Sequence, residues 1–91
     1  MHVPYSIEFT RRALRDLAAL AKQTQSQIAL KIDELAENPL PHGVQQLQGE
    51  DRDKLYRIRC GDYRVIYKVD HEATVVTIAT IGHRRDIYRG R

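Results

Sequence analysis

The chain has 91 residues, of which 42% are hydrophobic, with a single cysteine and a formal net charge of +3. This length suits one small domain, and the composition excludes an intrinsically disordered chain and an intramolecular disulfide. The sequence has no signal peptide and no apolar run of the ~20 residues that a membrane span needs, so a reducing, cytoplasmic setting is expected.

Positive charge is concentrated in the C-terminal half of the chain. Residues 1–51 hold five Lys or Arg and seven Asp or Glu, whereas residues 52–91 hold ten and five. The two halves therefore carry formal charges of −2 and +5, which sum to +3. A basic surface confined to one part of a domain is typical of a polyanionic partner, usually nucleic acid, and a plain solvated surface is the alternative.

The first elements are a strand and a helix. Apolar residues alternate with other residues at the start of the chain and predict a strand: Val3, Tyr5, Ile7 and Phe9. Thr10 is suited to cap the helix that follows. The apolar positions of this helix follow helical spacing: Leu14, Leu17, Ala18 and Ala21.

A second helix is expected to begin at Thr24 or Ser26, either of which can cap it. Its apolar stripe consists of Ile28, Ile32, Leu35 and Ala36. The helix is expected to end before Pro39, because the residue that precedes a proline avoids helical geometry. Two helices separated by so short a break should form an antiparallel hairpin.

Two strands that face each other across a tight turn follow in the C-terminal half. Residues 55–69 alternate at period two around Gly61-Asp62, which has the signature of a two-residue hairpin loop. The resulting register pairs Cys60 with Tyr63, Arg59 with Arg64, Ile58 with Val65, Arg57 with Ile66 and Tyr56 with Tyr67. One face then carries residues that can be buried: Tyr56, Ile58, Cys60, Tyr63, Val65 and Tyr67.

The other face of this hairpin, which we call the arginine face, carries Arg57, Arg59, Arg64 and Lys68. Like charges that lie directly opposite each other on a sheet lower its stability, so an arginine opposite an arginine needs a reason. The planar fork of a guanidinium is suited to phosphate. The pattern therefore favours an anion-binding surface, with nucleic acid as the preferred partner.

The remaining segments complete a small α+β domain. Residues 42–53 are expected to form a loop with a short strand at 44–47, residues 70–73 a turn, and residues 74–81 a last strand. That strand is apolar on both faces, which predicts a central place in the sheet, and Gly82 is expected to end it. The order β-α-α-β-β-β predicts one domain over 1–91, a small antiparallel sheet with an N-terminal helical hairpin packed on one face. The arginine face is then the exposed one.

The sequence predicts neither a metal site nor a cofactor. The single Cys60 falls on the apolar face of its strand. The four histidines lack the spacing of metal ligands: His2, His42, His71 and His83. His83 differs from the other three because it follows the last strand and precedes two arginines. It is therefore expected at the end of the arginine face.

Three motifs resemble the RelE/ParE superfamily of toxins from bacterial and archaeal type II toxin–antitoxin modules. They are Leu55-Tyr56-Arg57-Ile58-Arg59, then Gly61-Asp62-Tyr63-Arg64-Val65-Ile66-Tyr67, then Ile81-Gly82-His83-Arg84-Arg85-Asp86-Ile87-Tyr88. The likeness extends over nearly the whole chain and includes Leu47-Gln48-Gly49 before the hairpin. The ending resembles the RelE branch of ribosome-dependent mRNA endonucleases, and the gyrase-inhibiting ParE branch shares the same scaffold.

The resemblance implies a role for each matching residue. Arg57 and Arg59 match a basic pair on a sheet strand, and Arg64 matches the arginine that holds the scissile phosphate. Arg84 matches an arginine that contacts the transition state, and Tyr88 matches a C-terminal tyrosine that stacks on or orients the substrate base. Four further cations extend the expected RNA-binding surface: Lys54, Lys68, Arg85 and Arg89.

The chain departs from the family pattern at one point. The best-known RelE members have lysines where this chain has Arg57 and Arg59. A lysine can lose its proton when its pKa is lowered, whereas an arginine stays protonated. His83, with an ordinary imidazole pKa of about 6.5, is then the candidate proton carrier. Otherwise catalysis rests on charge stabilisation, or the chain is not a nuclease.

The favoured hypothesis is a toxin that cleaves mRNA in the ribosomal A site without a metal ion. The ribose 2′-OH would attack the adjacent phosphate and give a 2′,3′-cyclic phosphate and a 5′-OH. Two alternatives stay open: a ParE-like inhibitor of DNA gyrase, and a degenerate toxin that acts mainly as an antitoxin partner. In each case the resemblance implies a cognate antitoxin, with a heterotetramer that binds operator DNA through the antitoxin as one form of the complex.

Overall fold

Five strands and two helices make up the part of the chain that the structure, a computed structural model, describes: residues 3–47 and 54–86. The strands are β1 (Ser6–Phe9), β2 (Gln45–Gln46), β3 (Leu55–Cys60), β4 (Tyr63–Asp70) and β5 (Val75–His83), and the helices are α1 (Arg11–Ala18) and α2 (Lys22–Glu37). Neither helix is long and apolar enough to span a membrane. These two helices and five strands confirm the predicted α+β fold.

The strands form one sheet in the order β1-β5-β4-β3-β2. β5, β4, β3 and β2 pair in antiparallel fashion, but β1 pairs with β5 in parallel. The expected antiparallel sheet is thus corrected at one edge, where β1 and β5 are parallel. Parallel strands need a long connection, and here both helices and the β3–β4 hairpin lie between β1 and β5 in the chain. The predicted short strand before the hairpin is present as β2, and β5 has a paired strand on each side.

Both helices pack on one face of the sheet. The residues of this helix-side core are Ala13 of α1, Ile28, Ile32 and Leu35 of α2, and Ile58, Val65, Tyr67, Val76, Ile78 and Ile81 of the sheet. The predicted stripe of α2 is confirmed, because its three core residues are each at most 2% exposed. The predicted stripe of α1 is confirmed only at Leu17, which packs against the core, since Leu14 is 54% exposed and Ala13 is buried instead.

The junction between the helices differs from its prediction. Thr10 caps α1 as expected, because its Oγ1 accepts a hydrogen bond from the Ala13 N–H at 3.0 Å. α2, however, begins at Lys22, and Ala21 at its N-cap makes no side-chain hydrogen bond. Gln25 of α2 bonds back to the segment after α1, since its Nε2 donates to the Leu20 carbonyl at 2.9 Å. The cap at Thr24 or Ser26 that the sequence pattern suggested is therefore wrong, because α2 begins before both residues and without a capping side chain.

Tyr67 anchors the segment that follows α2. This residue of β4 is fully buried, and its hydroxyl donates to the Pro39 carbonyl at 2.7 Å. Burial raises the pKa of the Tyr67 hydroxyl well above its ordinary value, with a smaller contribution from the neighbouring Tyr56. The bond therefore joins the end of α2, at Glu37, to the centre of the sheet.

Candidate functional site

A two-residue turn joins β3 to β4 and sets the register of the candidate site. Gly61 has a φ of +59°, the left-handed region that glycine enters without steric cost, whereas the φ of Asp62 is not positive. This pattern matches a type II′ turn, whose twist suits an antiparallel hairpin. All five predicted pairs are confirmed, from Cys60–Tyr63 to Tyr56–Tyr67.

Arg59 and Arg64 lie directly opposite each other on the face of the sheet that the helices leave open. On the far side of Arg64, β5 contributes Gly82, which has no side chain. Arg59 is exposed, and within residues 3–47 and 54–86 its side chain makes no hydrogen bond or ion pair. Two neighbouring positive charges cost stability in the free protein and suit a bound anion.

Arg64 is oriented by the turn itself. Its Nη1 donates to the main-chain carbonyls of Tyr63, at 3.1 Å, and of Gly61, at 3.3 Å. The residue is half-buried, although its place on the open face predicted an exposed side chain. These contacts fix the direction of the guanidinium, because both acceptors belong to the backbone of the turn.

Arg57 occupies the next position along the arginine face. Its Nη2 donates to Oε1 of Gln45, the residue directly opposite it in β2. On its other side lies Ile66 of β4, which is 1% exposed although it does not belong to the helix-side core. The arginine face therefore has an apolar centre between Arg57 and Thr80, the partner of Ile66 in β5.

Beyond Arg57 the arginine face opens into a groove of mixed charge. Lys68 is exposed and lies between Leu55 of β3 and Thr77 of β5 in the register. The groove has a volume of about 810 Å³ and also contains Lys54. Its acidic lining residues are Glu8, Asp70 and Glu72. A polyanion on this face is therefore attracted more strongly toward the β3–β4 turn than toward the mixed charges at the other end of β4.

His83, the last residue of β5, lies on the other side of the sheet from Arg64. Its partner in the ladder is Tyr63, which packs against the helix-side core, and ladder partners project to the same side of a sheet. The two rings meet edge to face with their centroids 5.5 Å apart. The expectation that His83 lies at the end of the arginine face is therefore wrong.

The imidazole of His83 is also engaged by the backbone. Its Nδ1 accepts a hydrogen bond from the main-chain N–H of Arg85 at 3.1 Å. A neutral imidazole whose Nδ1 accepts carries its proton on Nε2. In this arrangement Nε2 can donate a hydrogen bond, but Nδ1, the ring nitrogen that can accept, is already bonded to the Arg85 N–H.

Arg84 follows β5 and returns to the β3–β4 turn. Its N–H donates to the Asp62 carbonyl at 2.8 Å, and its Nε lies 4.0 Å from Asp62 Oδ1. The two side chains are largely exposed, so this ion pair contributes little stability. Arg85 is exposed as well. Tyr88 and Arg89, two further predicted site residues, lie outside the described residues.

The remaining chemically active side chains of residues 3–47 and 54–86 do not assemble into a metal site. Among the described residues, no three His, Cys, Asp or Glu side chains cluster in a way that could hold a metal ion. Cys60 is half-buried and packs against the helix-side core, as its face of β3 predicted. His71 shares a hydrogen bond of 2.8 Å between its Nδ1 and the Tyr5 hydroxyl.

Comparison with known proteins identifies the family. A family model described as the ParE toxin of type II toxin–antitoxin system, parDE, matches residues 7–88. The chain belongs to the RelE/ParE superfamily of toxins. The resemblance of the three sequence motifs to this superfamily is thereby confirmed.

Relatives within the RelE/ParE superfamily match over most of their length. Toxin RelG of Mycobacterium tuberculosis is 34% identical, with 96% of this chain and 99% of RelG covered. The mRNA interferase toxin RelE of Escherichia coli K12 is 29% identical, with 88% of this chain and 83% of RelE covered. The crystal structure of the archaeal RelE–RelB complex from Pyrococcus horikoshii matches with a TM-score of 0.78 and 32% identity, over 89% of this chain and 96% of that chain.

Two residues of this RelE/ParE domain carried no signal in the sequence. Gln45 accepts the hydrogen bond of Arg57, and Asp16 of α1 accepts from Thr80 and Ile81 of β5. The partners of Asp16 are 64 and 65 residues away along the chain. From the sequence, Asp16 reads as an exposed helical residue four positions after Arg12, and only the tertiary arrangement shows its contact with the sheet.

Proposed function

We propose that this RelE-family toxin is an endoribonuclease that cleaves mRNA in the ribosomal A site. The observation that carries the proposal is the pair Arg59 and Arg64, which face each other beside Gly82 on the open side of the sheet. Guanidiniums bind phosphate oxygens in a bidentate fashion, and two of them side by side match one phosphodiester. The E. coli relative that is named an mRNA interferase supports the same activity.

In the proposed reaction, the ribose 2′ oxygen attacks the adjacent phosphorus and the bond from phosphorus to the 5′ oxygen breaks. The proton of the 2′-OH passes to water or a ribosomal group, and the leaving 5′ oxygen takes up a proton in return. Arg59 and Arg64 hold the phosphate, while Arg57 and Arg84 neutralise the charge that develops on it. No metal ion is required, because the guanidiniums stabilise the phosphorane-like transition state.

Proton transfer in this proposal does not depend on His83 as a base. Its Nδ1 already accepts the Arg85 N–H, and its ladder partner Tyr63 places the ring on the helix side of the sheet, away from Arg64. Arg57 and Arg59 cannot take up a proton at any usable pH. The rate enhancement then rests on charge stabilisation by the arginine face and on the positioning of the mRNA by the ribosome.

We also infer that a cognate antitoxin holds this toxin inactive. The P. horikoshii relative was solved as a RelE–RelB complex, and an E. coli relative as an intact RelBE toxin–antitoxin complex. A segment that folds on binding can cover a basic site such as the arginine face. A heterotetramer that binds operator DNA through the antitoxin remains a prediction.

The decisive test is cleavage on ribosomes. Purified protein is incubated with ribosomes programmed with a defined mRNA, and the cut ends are mapped. We expect a cut in the A-site codon that leaves a 2′,3′-cyclic phosphate. An mRNA with a 2′-deoxyribose at the cut position should stay intact, because the 2′-OH is the attacking group. If the unmodified mRNA stays intact with equimolar wild-type toxin and ribosomes, the proposed activity is excluded.

The second candidate function is inhibition of DNA gyrase, which the match to the ParE toxin model over residues 7–88 favours. The same protein preparation is added to gyrase and relaxed plasmid, and supercoiling is measured. Loss of supercoiling together with intact mRNA would support this candidate. Intact mRNA together with unimpaired supercoiling would support the degenerate toxin that acts mainly as an antitoxin partner.

A further inference from the structure

β5 extends beyond the strand that lies beside it. β1 ends at Phe9, whose partner is Ile78, whereas β5 continues to His83. In the described part of the chain, α1 rather than a strand contacts this exposed edge. Thr10 begins the contact, because its N–H donates to the Ile78 carbonyl at 3.0 Å and its Oγ1 donates to the Ala79 carbonyl at 2.7 Å.

Asp16 of α1 completes this edge. A single carboxylate oxygen, Oδ2, accepts hydrogen bonds from Thr80 Oγ1 at 2.8 Å and from the Ile81 N–H at 3.0 Å. The Asp16 side chain is 25% exposed, and Arg12 Nε lies 3.9 Å from the same oxygen. A carboxylate on a helix thus takes the place of a strand carbonyl and satisfies a main-chain donor at the sheet edge.

The two donors to Asp16 directly follow a bulge in β5. Ile66 pairs with Thr80 and Tyr67 pairs with Ile78, so Ala79 is an extra residue in the strand. A slip of one residue would move every later side chain of β5 to the opposite face of the sheet. With the bulge in place, Ile81 is 4% exposed in the helix-side core and Gly82 lies beside Arg64.

We propose that Asp16 is a positioning residue for the arginine face. It acts through β5, because by holding Thr80 and Ile81 it fixes the bulge. The bulge in turn keeps Gly82 beside Arg64 and brings Arg84 to the turn. This inference rests on the proposed function, since its effect is measured as cleavage of mRNA.

Two substitutions separate the hydrogen-bond acceptor from the charge. Asp16→Asn keeps an oxygen that can accept from both donors, whereas Asp16→Leu has a similar size and no acceptor. Asp33→Leu, at an exposed position of α2, is the matched control. On programmed ribosomes, Asp16→Leu should lower kcat by about 10- to 100-fold, the cost of a small misplacement of the reacting groups. KM should change little, because the ribosome rather than the arginine face is expected to dominate substrate binding. Asp16→Asn and Asp33→Leu should resemble the wild type.

Two NMR measurements test the same contact without RNA cleavage. The Ile81 amide should exchange faster with solvent in Asp16→Leu than in the wild type or Asp16→Asn. Sulfate, used as the probe anion and followed at the Arg64 side chain, should bind more weakly to Asp16→Leu. Thr80→Val removes one donor with little change of shape, so it should show smaller effects in the same direction and decides the matter where Asp16→Leu does not fold.

The outcomes keep the two proposals apart. Wild-type kcat in Asp16→Leu, or an equal loss in Asp16→Asn and Asp16→Leu, would overturn the positioning role. A kcat loss with unchanged exchange at Ile81 would overturn it as well. Intact mRNA with the wild-type protein would overturn the proposed function instead. The role of Asp16 is then tested by sulfate binding alone. Equal sulfate binding by Asp16→Leu and the wild type would refute that role.

Discussion

The opposed positions of Arg59 and Arg64 are set by the backbone register of β3 and β4. The strand register places the two residues directly across from each other, and the carbonyls of Tyr63 and Gly61 orient the Arg64 guanidinium. Repulsion between the two charges cannot be relieved by a shift of register, because a slip would expose the helix-side core. The free domain therefore keeps two guanidiniums on neighbouring strands, an arrangement that suits a phosphate group.

Arg64 should be essential for toxicity and nearly dispensable for folding. Arg64→Ala is expected to abolish growth inhibition on expression and to lower cleavage by more than about 10²-fold, the size of the loss when one charge-stabilising donor is removed. The free energy of unfolding should fall by no more than roughly 1 kcal/mol, because the lost hydrogen bonds lie at a surface turn. Thermal unfolding checks this, and a loss of several kcal/mol would show that Arg64 is mainly structural.

His83 should contribute little to the chemical step. Its Nδ1 accepts the Arg85 N–H and its ring contacts Tyr63 on the helix side, so it is not placed to take the 2′-OH proton. His83→Gln is expected to cleave within about 10-fold of the wild-type rate, with no imidazole step in the rate between about pH 5 and 8. Single-turnover rates across this range check it. A loss of about 10²–10⁴-fold would restore His83 as a general acid or base.

At the scale of elements, the sequence was informative where structure is local. The hairpin register was predictable pair by pair, because the turn at Gly61-Asp62 and the alternation of β3 and β4 act within one short segment. The bulge at Ala79 and the position of His83 were not predictable, because both depend on where β1 ends and on contacts with α1. The start of α2 was placed too late, because this helix begins at Lys22 without a capping side chain and so left no capping signal in the sequence.

Tyr67 should make stability depend on alkaline pH. Burial raises the pKa of its hydroxyl in the folded protein, so the unfolded chain loses this proton first, above the ordinary value of about 10. The contribution of Tyr67 is therefore complete below pH ~10 and decreases above it by up to ~1.4 kcal/mol per pH unit. Tyr67→Phe should lack this dependence, and at neutral pH it should lose about 1 kcal/mol with the bond to the Pro39 carbonyl.

Denaturant unfolding at a series of pH values measures this effect. Tyr5→Phe is the matched control, because it removes a hydroxyl that is bonded to His71 at the end of the sheet instead of one in the core. The wild type and Tyr5→Phe should lose stability in parallel above pH ~10, while Tyr67→Phe should lose less. Identical slopes for all three proteins would show that the Tyr67 hydroxyl ionises as easily in the folded state as in the unfolded one.

At the scale of the whole molecule, the two faces of the sheet have separate tasks. The helix side is apolar and holds the core, while the open side carries cations near the β3–β4 turn and carboxylates at the far end of β4. The charge split of −2 and +5 between the sequence halves foreshadowed this division, because the arginine-bearing strands come late in the chain. A polyanion on this face is therefore attracted mainly toward the end with the β3–β4 turn.

Binding of single-stranded RNA should depend on salt through the cations of the arginine face and not through those of the helices. Each phosphate that a cation neutralises contributes about 0.7 to the negative slope of log K against log salt concentration. Arg59→Gln should make this slope shallower by about that amount, because Arg59 is exposed on the arginine face. Arg11→Gln removes the same charge from the exposed surface of α1 and should leave the slope unchanged. Fluorescence anisotropy of a short labelled RNA at several salt concentrations measures both variants. Equal changes of slope for the two variants would mean that RNA binding depends only on the net charge of the protein. The arginine face would then not be the specific binding site.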